Sequence, residues 1–364
     1  MKIALVHEFL NQLGGAERVL QNFLEIWPDA TIHVLLYDPE KTHGEFEKFS
    51  KKISVLNTFP GAKRFPKFLL PWMPRAIESF EFKDFDAVLS DSSSFAHAAN
   101  AKNKLHICYC HTPARFLWTE SEAYLTAQQF HGIFKLIARL FLPGIRKWDR
   151  QTAARPNFYI ANSRNVQQRI KKYFDRDSTV IFPPADTDFF HPVAEKKDYY
   201  FMVSRLEPYK QTRLAVEAFN ELGLPLKIAG AGSELATLKK IAKNNIEFLG
   251  RVADDELRVR YSEAKAFIFP AEEDAGITVV EAMACATPVI AYGAGGALES
   301  VKAGITGEFF SEQTAGAIVS AVKNFDPKKY DSQAIRTHAQ QFDRKVFQKK
   351  IKEFVEEKYN ENRA

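Results

Sequence analysis

Cysteine is scarce in this sequence. Three of its 364 residues are cysteine, namely Cys108, Cys110 and Cys285. Cys108 and Cys110 stand two positions apart on a predicted strand, which puts both side chains on one face, and we expect no disulfide between them. No second pair completes a zinc site. So few thiols, without a disulfide framework, are typical of a reducing compartment such as the cytoplasm.

Long apolar runs are absent as well. No run approaches the roughly 18 apolar residues that a membrane-spanning helix needs, so we expect no transmembrane segment. Met1 leads directly into a predicted strand at residues 3–6, and we therefore expect no signal peptide. At 364 residues, with 46% hydrophobic residues, the chain is long enough for two domains with separate cores.

Acidic residues are missing from one long stretch. The net charge is +5, and residues 51–75 contain six basic residues and no acidic one. Aromatic and other large apolar side chains are interleaved with these cations, and a similar mixture recurs over residues 135–150. Such a mixture favours contact with an anionic lipid surface. There are two alternatives to membrane contact. The stretches could bind nucleic acid, or they could be an ordinary amphipathic helix and loop that cover a core.

Short strands alternate with helices along the whole chain, which predicts an α/β fold with doubly wound parallel sheets. The strand candidates are residues 3–6, 31–36, 87–90, 105–109, 158–160 and 180–182 in the first half, and 200–203, 226–229, 246–249, 266–269 and 289–291 in the second. Pro183, Pro184 and the polar residues up to Lys197 mark a linker, so we place the domains at 1–184 and 185–364. Residues 346–359 carry apolar side chains at helical spacing.

Two glutamates eight positions apart, Glu273 and Glu281, are the strongest functional signal. The apolar run 266–269 predicts a buried strand, and helical spacing runs from near Ile277 to just before Thr287. Glu273 then lies on a loop that faces the ligand crevice of an α/β sheet, and Glu281 lies about one turn inside the helix. A carboxylate on the loop suits sugar hydroxyls, and one on the helix suits the hydroxyls of ribose. The alternative to a ligand site is that both are surface carboxylates at a helix start, where the helix dipole favours them. The free N–H groups at the helix start predict an anion site, at Gly276, Ile277 and Thr278.

Glycines and cations follow two other predicted strands. Gly14 and Gly15 come after the first strand and open a helix, where backbone N–H groups can bind phosphate, although a Gly-Gly pair alone is commonly just a turn. Arg205 follows the strand 200–203, and Lys210 begins the next helix. The two cations can clamp a diphosphate, and a pair of solvated surface cations is the alternative.

Two histidines stand at predicted strand ends. His111 follows the strand 105–109 and should also face the crevice. There it can hydrogen-bond a sugar hydroxyl or steady charge at an anomeric carbon. His7, at the end of the first strand, is the alternative histidine for this contact.

Dinucleotide and metal motifs are incomplete. Gly230 and Gly232 lack a third glycine at the spacing of the dinucleotide fingerprint, so we interpret them as a turn near the nucleotide. Asp-x-Asp pairs begin at Asp84, Asp175 and Asp186, but none follows a clear strand. We therefore predict no metal ion and no other cofactor.

Together with their neighbours, these residues resemble family 4 of the glycosyltransferases, retaining enzymes of the GT-B fold that use nucleotide sugars. The resemblance covers nearly the whole chain, and the runs that carry it are residues 14–20, 109–115, 161–163, 182–187, 203–210, 248–252 and 270–291. It implies two Rossmann-like, doubly wound domains that face a central cleft, with the acceptor bound by 1–184 and the nucleotide sugar by 185–364. It also implies that a last helix, about 345–362, packs back on the first domain, and that Val252 belongs to the nucleotide-sugar site.

The residues around His111 and Lys210 are similar to those of members that use GDP-mannose and build surface polysaccharides. The resemblance thus implies a hexosyltransferase, with mannose favoured, that acts on a lipid-linked glycan at the cytoplasmic face of an anionic membrane, without nucleic acid. Catalysis would be metal-independent, with Glu273 orienting the sugar. A glucosyltransferase that uses a UDP- or ADP-sugar, a non-catalytic binding subunit and a Rossmann-type oxidoreductase are the alternatives.

Two positions depart from the family pattern. Ala275 stands where an aromatic residue is frequent, which can reshape the sugar pocket. Ala286 stands where glycine is usual, which can shift the end of the signature helix.

Overall fold

A computed structural model describes residues 1–63, 66–118 and 133–363, without the side chains of Pro66, Lys67 and residues 133–140. The described residues form two compact units. The first contains Met1–Phe182 together with Phe347–Ala364, and the second contains Pro183–Val346. The chain thus first changes unit between Phe182 and Pro183, two residues before the predicted domain boundary.

The first unit is built on a seven-stranded parallel sheet. Its strands are β1 (Ile3–Leu10), β2 (Thr31–Tyr37), β3 (Lys51–Ile53), β4 (Ala87–Ser92), β5 (Leu105–Cys110), β6 (Phe158–Ala161) and β7 (Thr179–Val180). Their order across the sheet is β3-β2-β1-β4-β5-β6-β7. The helices are α1 (Gly15–Ile26), α2 (Met73–Glu78), α3 (Arg115–Trp118), α4 (Ile133–Thr152) and α5 (Arg164–Phe174).

The second unit is built on a six-stranded parallel sheet. Its strands are β8 (Tyr200–Val203), β9 (Leu226–Ala229), β10 (Ile246–Gly250), β11 (Ala266–Phe269), β12 (Val289–Tyr292) and β13 (Gly307–Phe310), in the order β10-β9-β8-β11-β12-β13. The helices are α6 (Thr212–Leu222), α7 (Leu235–Ile241), α8 (Asp254–Glu263), α9 (Ile277–Ala284), α10 (Ala297–Ser300), α11 (Ala315–Asn324) and α12 (Ser332–Ala339). A last helix, α13 (Arg344–Glu361), begins in this unit and continues into the first.

Each sheet carries apolar clusters because helices cover a parallel sheet on both faces. In the first unit one cluster joins β1, α1 and the end of the chain, where Phe347, Ile351 and Val355 of α13 are buried. The rings of Phe23 and Phe347 stack with centroids 5.8 Å apart. The second half of α13 therefore packs in the first unit.

The predicted α/β class with two doubly wound parallel sheets is confirmed. The strands differ in detail, since β1 continues to Leu10 and β7 is shorter than predicted. β3 and β13 were not predicted, because each is an edge strand of three or four residues in which no period of two can be recognised. No helix in the described ranges is both long and apolar enough to cross a membrane.

Both sheets contain a point at which the strand order reverses. In the first unit it lies between β1 and β4, and in the second between β8 and β11. At such a point the loops that leave the two neighbouring strands diverge to opposite faces, which opens a crevice at the carboxyl edge. These two edges are where the predicted site residues of each unit should be sought.

Candidate nucleotide-sugar and histidine sites

Lys210 and Glu273 meet at the reversal point of the second sheet. Lys210 lies on the segment after β8, in a short turn of 3-10 helix that precedes α6, and Glu273 lies on the loop after β11. The ammonium group of Lys210 contacts the carboxylate of Glu273 directly. Their side chains keep 12% and 24% of their surface exposed, so solvent reaches both groups. A cation and a carboxylate suited to two parts of one ligand thus stand side by side.

The loop that carries Glu273 is held by two glycines that the sequence reasoning missed. Gly296 donates its N–H to the carbonyl of Glu273 at 2.8 Å. A Cβ atom on Gly295 would lie 2.4 Å from that same carbonyl oxygen, and one on Gly296 would lie 2.6 Å from Cα of Ala275. Only glycine permits this approach. The two glycines end the run of small residues 293–296 that follows β12, a signal that could have identified them.

Gly276 begins the signature helix with a left-handed conformation at φ 68°. The N–H groups of Ile277 and Thr278, the first two residues of α9, donate no hydrogen bond within the described residues. This is the geometry of an anion site at a helix N-terminus. Glu281 lies one turn further on, is buried, and accepts a hydrogen bond from the hydroxyl group of Tyr261 at 3.0 Å.

Arg205 extends from the segment after β8, with an exposed side chain that makes no ion pair within the described residues. The backbone on either side of Arg205, at Ser204 and Leu206, is packed against Gly230 and Gly232. A Cβ atom on these glycines would lie 1.9 Å from the Ser204 carbonyl oxygen and 2.3 Å from the Leu206 carbonyl oxygen. The two glycines therefore shape the loop that presents Arg205. Val252 is partly buried and follows β10.

Ala286 lies just after the signature helix, at a position where the backbone is left-handed. α9 ends at Ala284, and Ala286 adopts φ 56°, the left-handed region. The N–H of Thr287 reaches the carbonyl of Ala282 at 3.0 Å, and that of Ala286 reaches Met283 at 2.9 Å. These two bonds define a Schellman motif, in which glycine is favoured because it has no Cβ. Here alanine adopts this left-handed conformation, which costs a residue with a Cβ about 1–2 kcal/mol.

His7, Asp91 and His111 meet at the reversal point of the first sheet. Nδ1 of His7 lies 2.9 Å from Oδ2 of Asp91, and Nε2 of His111 lies 2.6 Å from Oδ1. The three residues come from the carboxyl ends of β1 and β4 and from the residue after β5. Asp91 was missed by the sequence reasoning, although it stands at the end of a predicted strand, as the two histidines do.

In this cluster each ionisable side chain shifts the pKa of its neighbour towards the charged form. Burial opposes the charged form of His7, but its contacts with Asp91 and Glu17 hold its pKa well above the ordinary value. Burial acts in the same way on His111, and the Asp91 carboxylate again raises the pKa. Burial would raise the pKa of Asp91, yet the two histidines lower it. Asp91 is therefore a carboxylate that accepts a hydrogen bond from each imidazole.

The glycine pair is only partly open to a ligand. Gly14 precedes α1 and donates its N–H to Oε2 of Glu17 at 2.9 Å, so this donor is occupied. Gly15 is the first residue of α1, where N–H groups have no partner inside the helix. A phosphate contact would therefore come from Gly15 and not from the Gly14 N–H.

Each Asp-x-Asp pair has at least one partner in the protein. Asp86 accepts the backbone N–H of Lys2, Asp186 pairs with Arg344 and Asp175 pairs with Lys171. Across the described part of the chain, no group of three His, Cys, Asp or Glu side chains is arranged to hold a metal ion. The prediction that no metal takes part stays a prediction.

The basic and aromatic stretches are described only in part. Arg64 and Phe65 lie outside the described residues, as do the side chains of Lys67, Lys135 and Arg139. In the described part of the first stretch Phe59, Phe68 and Trp72 are each about half exposed, at 49%, 55% and 55%.

Two family models and several known proteins match the chain. The Glycosyltransferase Family 4 model matches residues 13–189, and the Glycosyl transferases group 1 model matches residues 185–342. An uncharacterized glycosyltransferase of Methanocaldococcus jannaschii is 23% identical over 318 residues, which is 84% of this chain and 83% of the relative. The GDP-mannose-dependent alpha-(1-6)-phosphatidylinositol monomannoside mannosyltransferase of Mycobacterium tuberculosis is 32% identical over 170 residues, 38% of this chain and 44% of the relative.

The fold is also that of solved proteins. The structure of Anabaena HepE in complex with UDP-glucose superposes with a TM-score of 0.74 at 18% identity, covering 98% of this chain and 100% of the other. At 18% identity this similarity is evidence for the fold alone. Since the two family models between them match residues 13–342, the chain belongs to the glycosyltransferases of the GT-B fold, with a family 4 domain followed by a group 1 domain.

Proposed function

We propose that this glycosyltransferase transfers mannose from GDP-mannose to a hydroxyl group of a lipid-linked glycan, with retention of configuration and without a metal ion. The observation that carries the proposal is the contact between Lys210 and Glu273. A cation for the diphosphate and a carboxylate for sugar hydroxyls stand together, as the bond between sugar and phosphate requires. The 32% identical mannosyltransferase supports GDP-mannose as the donor.

In the proposed reaction the donor separates this ion pair. Lys210 and Arg205 bind phosphate oxygens, with the helix N–H groups of Ile277 and Thr278, while Glu273 accepts hydrogen bonds from the sugar. The bond between C1 and the diphosphate oxygen breaks, and the cations stabilise the negative charge that grows on GDP. The acceptor oxygen then bonds to C1 on the same face. Its proton passes to the departing diphosphate, so the products are the mannoside and GDP.

The lipid-linked acceptor is inferred from the surface of the first unit. Phe59, Phe68 and Trp72 expose large apolar area within a stretch that has cations and no acidic residue. Aromatic side chains anchor at the headgroup level of a bilayer, and each nearby cation contributes about 1 kcal/mol at an anionic surface. We therefore infer that this stretch contacts the cytoplasmic leaflet, where the lipid-linked glycan would be held.

A ligand screen tests the donor. GDP, UDP, ADP and their sugars would be compared by thermal shift and calorimetry, and we expect GDP-mannose to raise the melting temperature most. A clear preference for UDP-glucose, the ligand found with HepE, would overturn the mannosyl assignment.

Variants of the two glutamates test the site. We expect Glu273→Ala to reduce turnover strongly without weakening the binding of free GDP, because Lys210 then loses a group that competes with phosphate. We expect Glu281→Ala to weaken GDP itself, because Glu281 is assigned to the ribose. If both variants lose only thermal stability, the two carboxylates belong to the structure of a helix start and not to the ligand.

A further inference from the structure

Four ionisable side chains of the first unit form a continuous row, which we call the charge row: Glu17, His7, Asp91 and His111. Oε1 of Glu17 lies 3.9 Å from Nε2 of His7, whose Nδ1 lies 2.9 Å from Oδ2 of Asp91. The other oxygen of Asp91 lies 2.6 Å from Nε2 of His111. The row begins on α1, crosses the reversal point between β1 and β4, and ends after β5.

Only the last member of the row is accessible. The side chains of Glu17, His7 and Asp91 are 4%, 3% and 0% exposed, whereas that of His111 is 13% exposed. Because Nε2 of His111 is held by Asp91, Nδ1 is the ring nitrogen left for a ligand, and it makes no hydrogen bond within the described residues. The row therefore ends in one available nitrogen.

A further carboxylate, that of Glu8, also acts on His111 and, like Asp91, raises its pKa. Glu8 of β1 is buried, and its oxygens accept hydrogen bonds from hydroxyl and N–H groups of residues 92–96. The ring of Tyr109, on β5, stands edge-on to that of His111 with centroids 5.3 Å apart, and its hydroxyl donates to Ile181. On the α1 side, Glu17 accepts hydrogen bonds from the Gln12 side chain at 3.3 Å and from the N–H of Gly14 at 2.9 Å.

A count of charges shows what Glu17 contributes. His7 stands between two carboxylates and is therefore an imidazolium. With Glu17 present, the two carboxylates and one imidazolium leave one negative charge buried, and a proton on His111 cancels it. Without that carboxylate, Asp91 and His7 already cancel, and only the direct effects of Asp91 and Glu8 remain to favour the proton on His111. Buried charge without compensation is costly, so the Glu17 carboxylate adds to the preference of His111 for a proton.

We propose that Glu17 is a positioning residue for His111, keeping it protonated through His7 and Asp91 so that it meets the substrate as a cationic Nδ1–H donor and not as a general base. Such a donor suits a phosphate or hydroxyl oxygen. It does not suit direct contact with the positive charge that develops at the anomeric carbon. The raised pKa values of His7 and His111 agree with this arrangement. The proposal rests on the proposed function only for the statement that His111 meets substrate.

The test is a nitrogen-15 NMR titration of the histidine rings in the full chain, with His111→Gln used to assign the His111 signals. Wild type should show His111 titrating above pH 6.5, the ordinary value. Glu17→Gln should lower that midpoint by about one pH unit, since the removed charge is close and buried. The glutamine oxygen can still accept the N–H of Gly14, so the start of α1 keeps its cap. Asp91→Asn should lower the midpoint further.

Glu25→Gln is the matched control. Glu25 lies near the end of α1, where it accepts a hydrogen bond from Gln348, so this variant makes the same chemical change on the same helix. We expect it to leave the His111 midpoint unchanged. A folded Glu17→Gln protein with the wild-type midpoint would overturn the proposal, and so would an equal shift in Glu25→Gln.

Turnover provides a second readout. The alkaline limb of the pH–rate profile should move to lower pH in Glu17→Gln by the same amount as the NMR midpoint, with little change in rate at pH 6. An unmoved limb would overturn the role of His111 as a cationic donor. If no donor sugar is turned over at all, the proposed function fails, while the NMR titration still decides whether Glu17 controls His111.

Discussion

The substitution Gly296→Ala should displace Glu273 indirectly, through the backbone of the neighbouring residues Asp274 and Ala275. The backbone of Gly296 has φ −66° and ψ −19°, which alanine adopts without strain, so the added methyl group is the whole perturbation. Its Cβ would lie 2.6 Å from Cα of Ala275 and from the carbonyl oxygen of Asp274. Both are backbone atoms that cannot rotate away. Restoring a contact of 3.4 Å requires a shift of about 0.8 Å, and the hydrogen bond from Gly296 to Glu273 carries that shift to the glutamate.

The structure sets the size of the expected effect. A misplacement of about 1 Å at a reacting centre can lower a rate about 10²-fold. We therefore expect kcat/KM of Gly296→Ala to fall about 30- to 100-fold, which corresponds to roughly 2–2.7 kcal/mol of transition-state stabilisation. GDP affinity should fall less than about threefold, since Arg205 lies on another loop. The assay is GDP-mannose turnover, with calorimetry of free GDP.

Gly316→Ala is the control for adding a methyl group to glycine. Gly316 lies in α11, and a Cβ there would meet no atom within 4 Å. It should stabilise the protein by about 0.5–1 kcal/mol, because alanine is the better helix former, and should leave turnover unchanged. Wild-type turnover in Gly296→Ala would refute the idea that backbone contact between the two loops positions Glu273.

Three further predictions concern other parts of the chain. Arg205→Ala should weaken GDP binding by about 1.5–3 kcal/mol, the value of a hydrogen bond to a charged group, and unchanged affinity by calorimetry would remove Arg205 from the site. Burial lowers the pKa of His33 to about 4, so the unfolded state binds the proton first as the pH falls below 6.5, and stability is lost between pH 6.5 and 4. In His33→Leu, chemical denaturation should show a smaller fall in the free energy of unfolding over this pH range, by about 1.4 kcal/mol per pH unit. The same pH dependence in this variant and in wild type would contradict the assignment to His33. Trp72→Ala should reduce flotation of the protein with anionic vesicles at low salt. Leu298→Ala, which changes an equally exposed side chain of the second unit, should not reduce it. If the wild-type protein never floats with such vesicles, the stretch 51–75 is ordinary covering structure.

Local patterns predicted most of the fold and the loops that carry the candidate residues. The apolar run before Glu273 and the helical spacing after it place that residue correctly on a loop between β11 and α9. Strand ends were recognised from the same kind of pattern, which is why His7 and His111 were considered together. Such patterns depend on neighbours in sequence, and they hold because each strand is a short buried run.

Contacts between distant residues could not be predicted in the same way. Lys210 and Glu273 are 63 residues apart, and Asp91 is 84 residues from His7. Their meeting depends on the order of strands in each sheet, and the alternation of strands and helices does not contain that order. The close approach of Gly296 to the Glu273 loop is hidden for the same reason, because a glycine after a strand is compatible with many turns.

The two units place opposite charges at the same topological position but bury them to different degrees. The pair of Lys210 and Glu273 retains 12% and 24% exposure, so a ligand can come between its members and exchange one partner for another. Asp91 and His7 are almost completely buried, so a ligand has no direct access to their contact. The first arrangement suits a site that must open for each donor molecule. The second holds its charges fixed, and a substrate that reaches His111 must therefore fit the protonation state that the protein has already set.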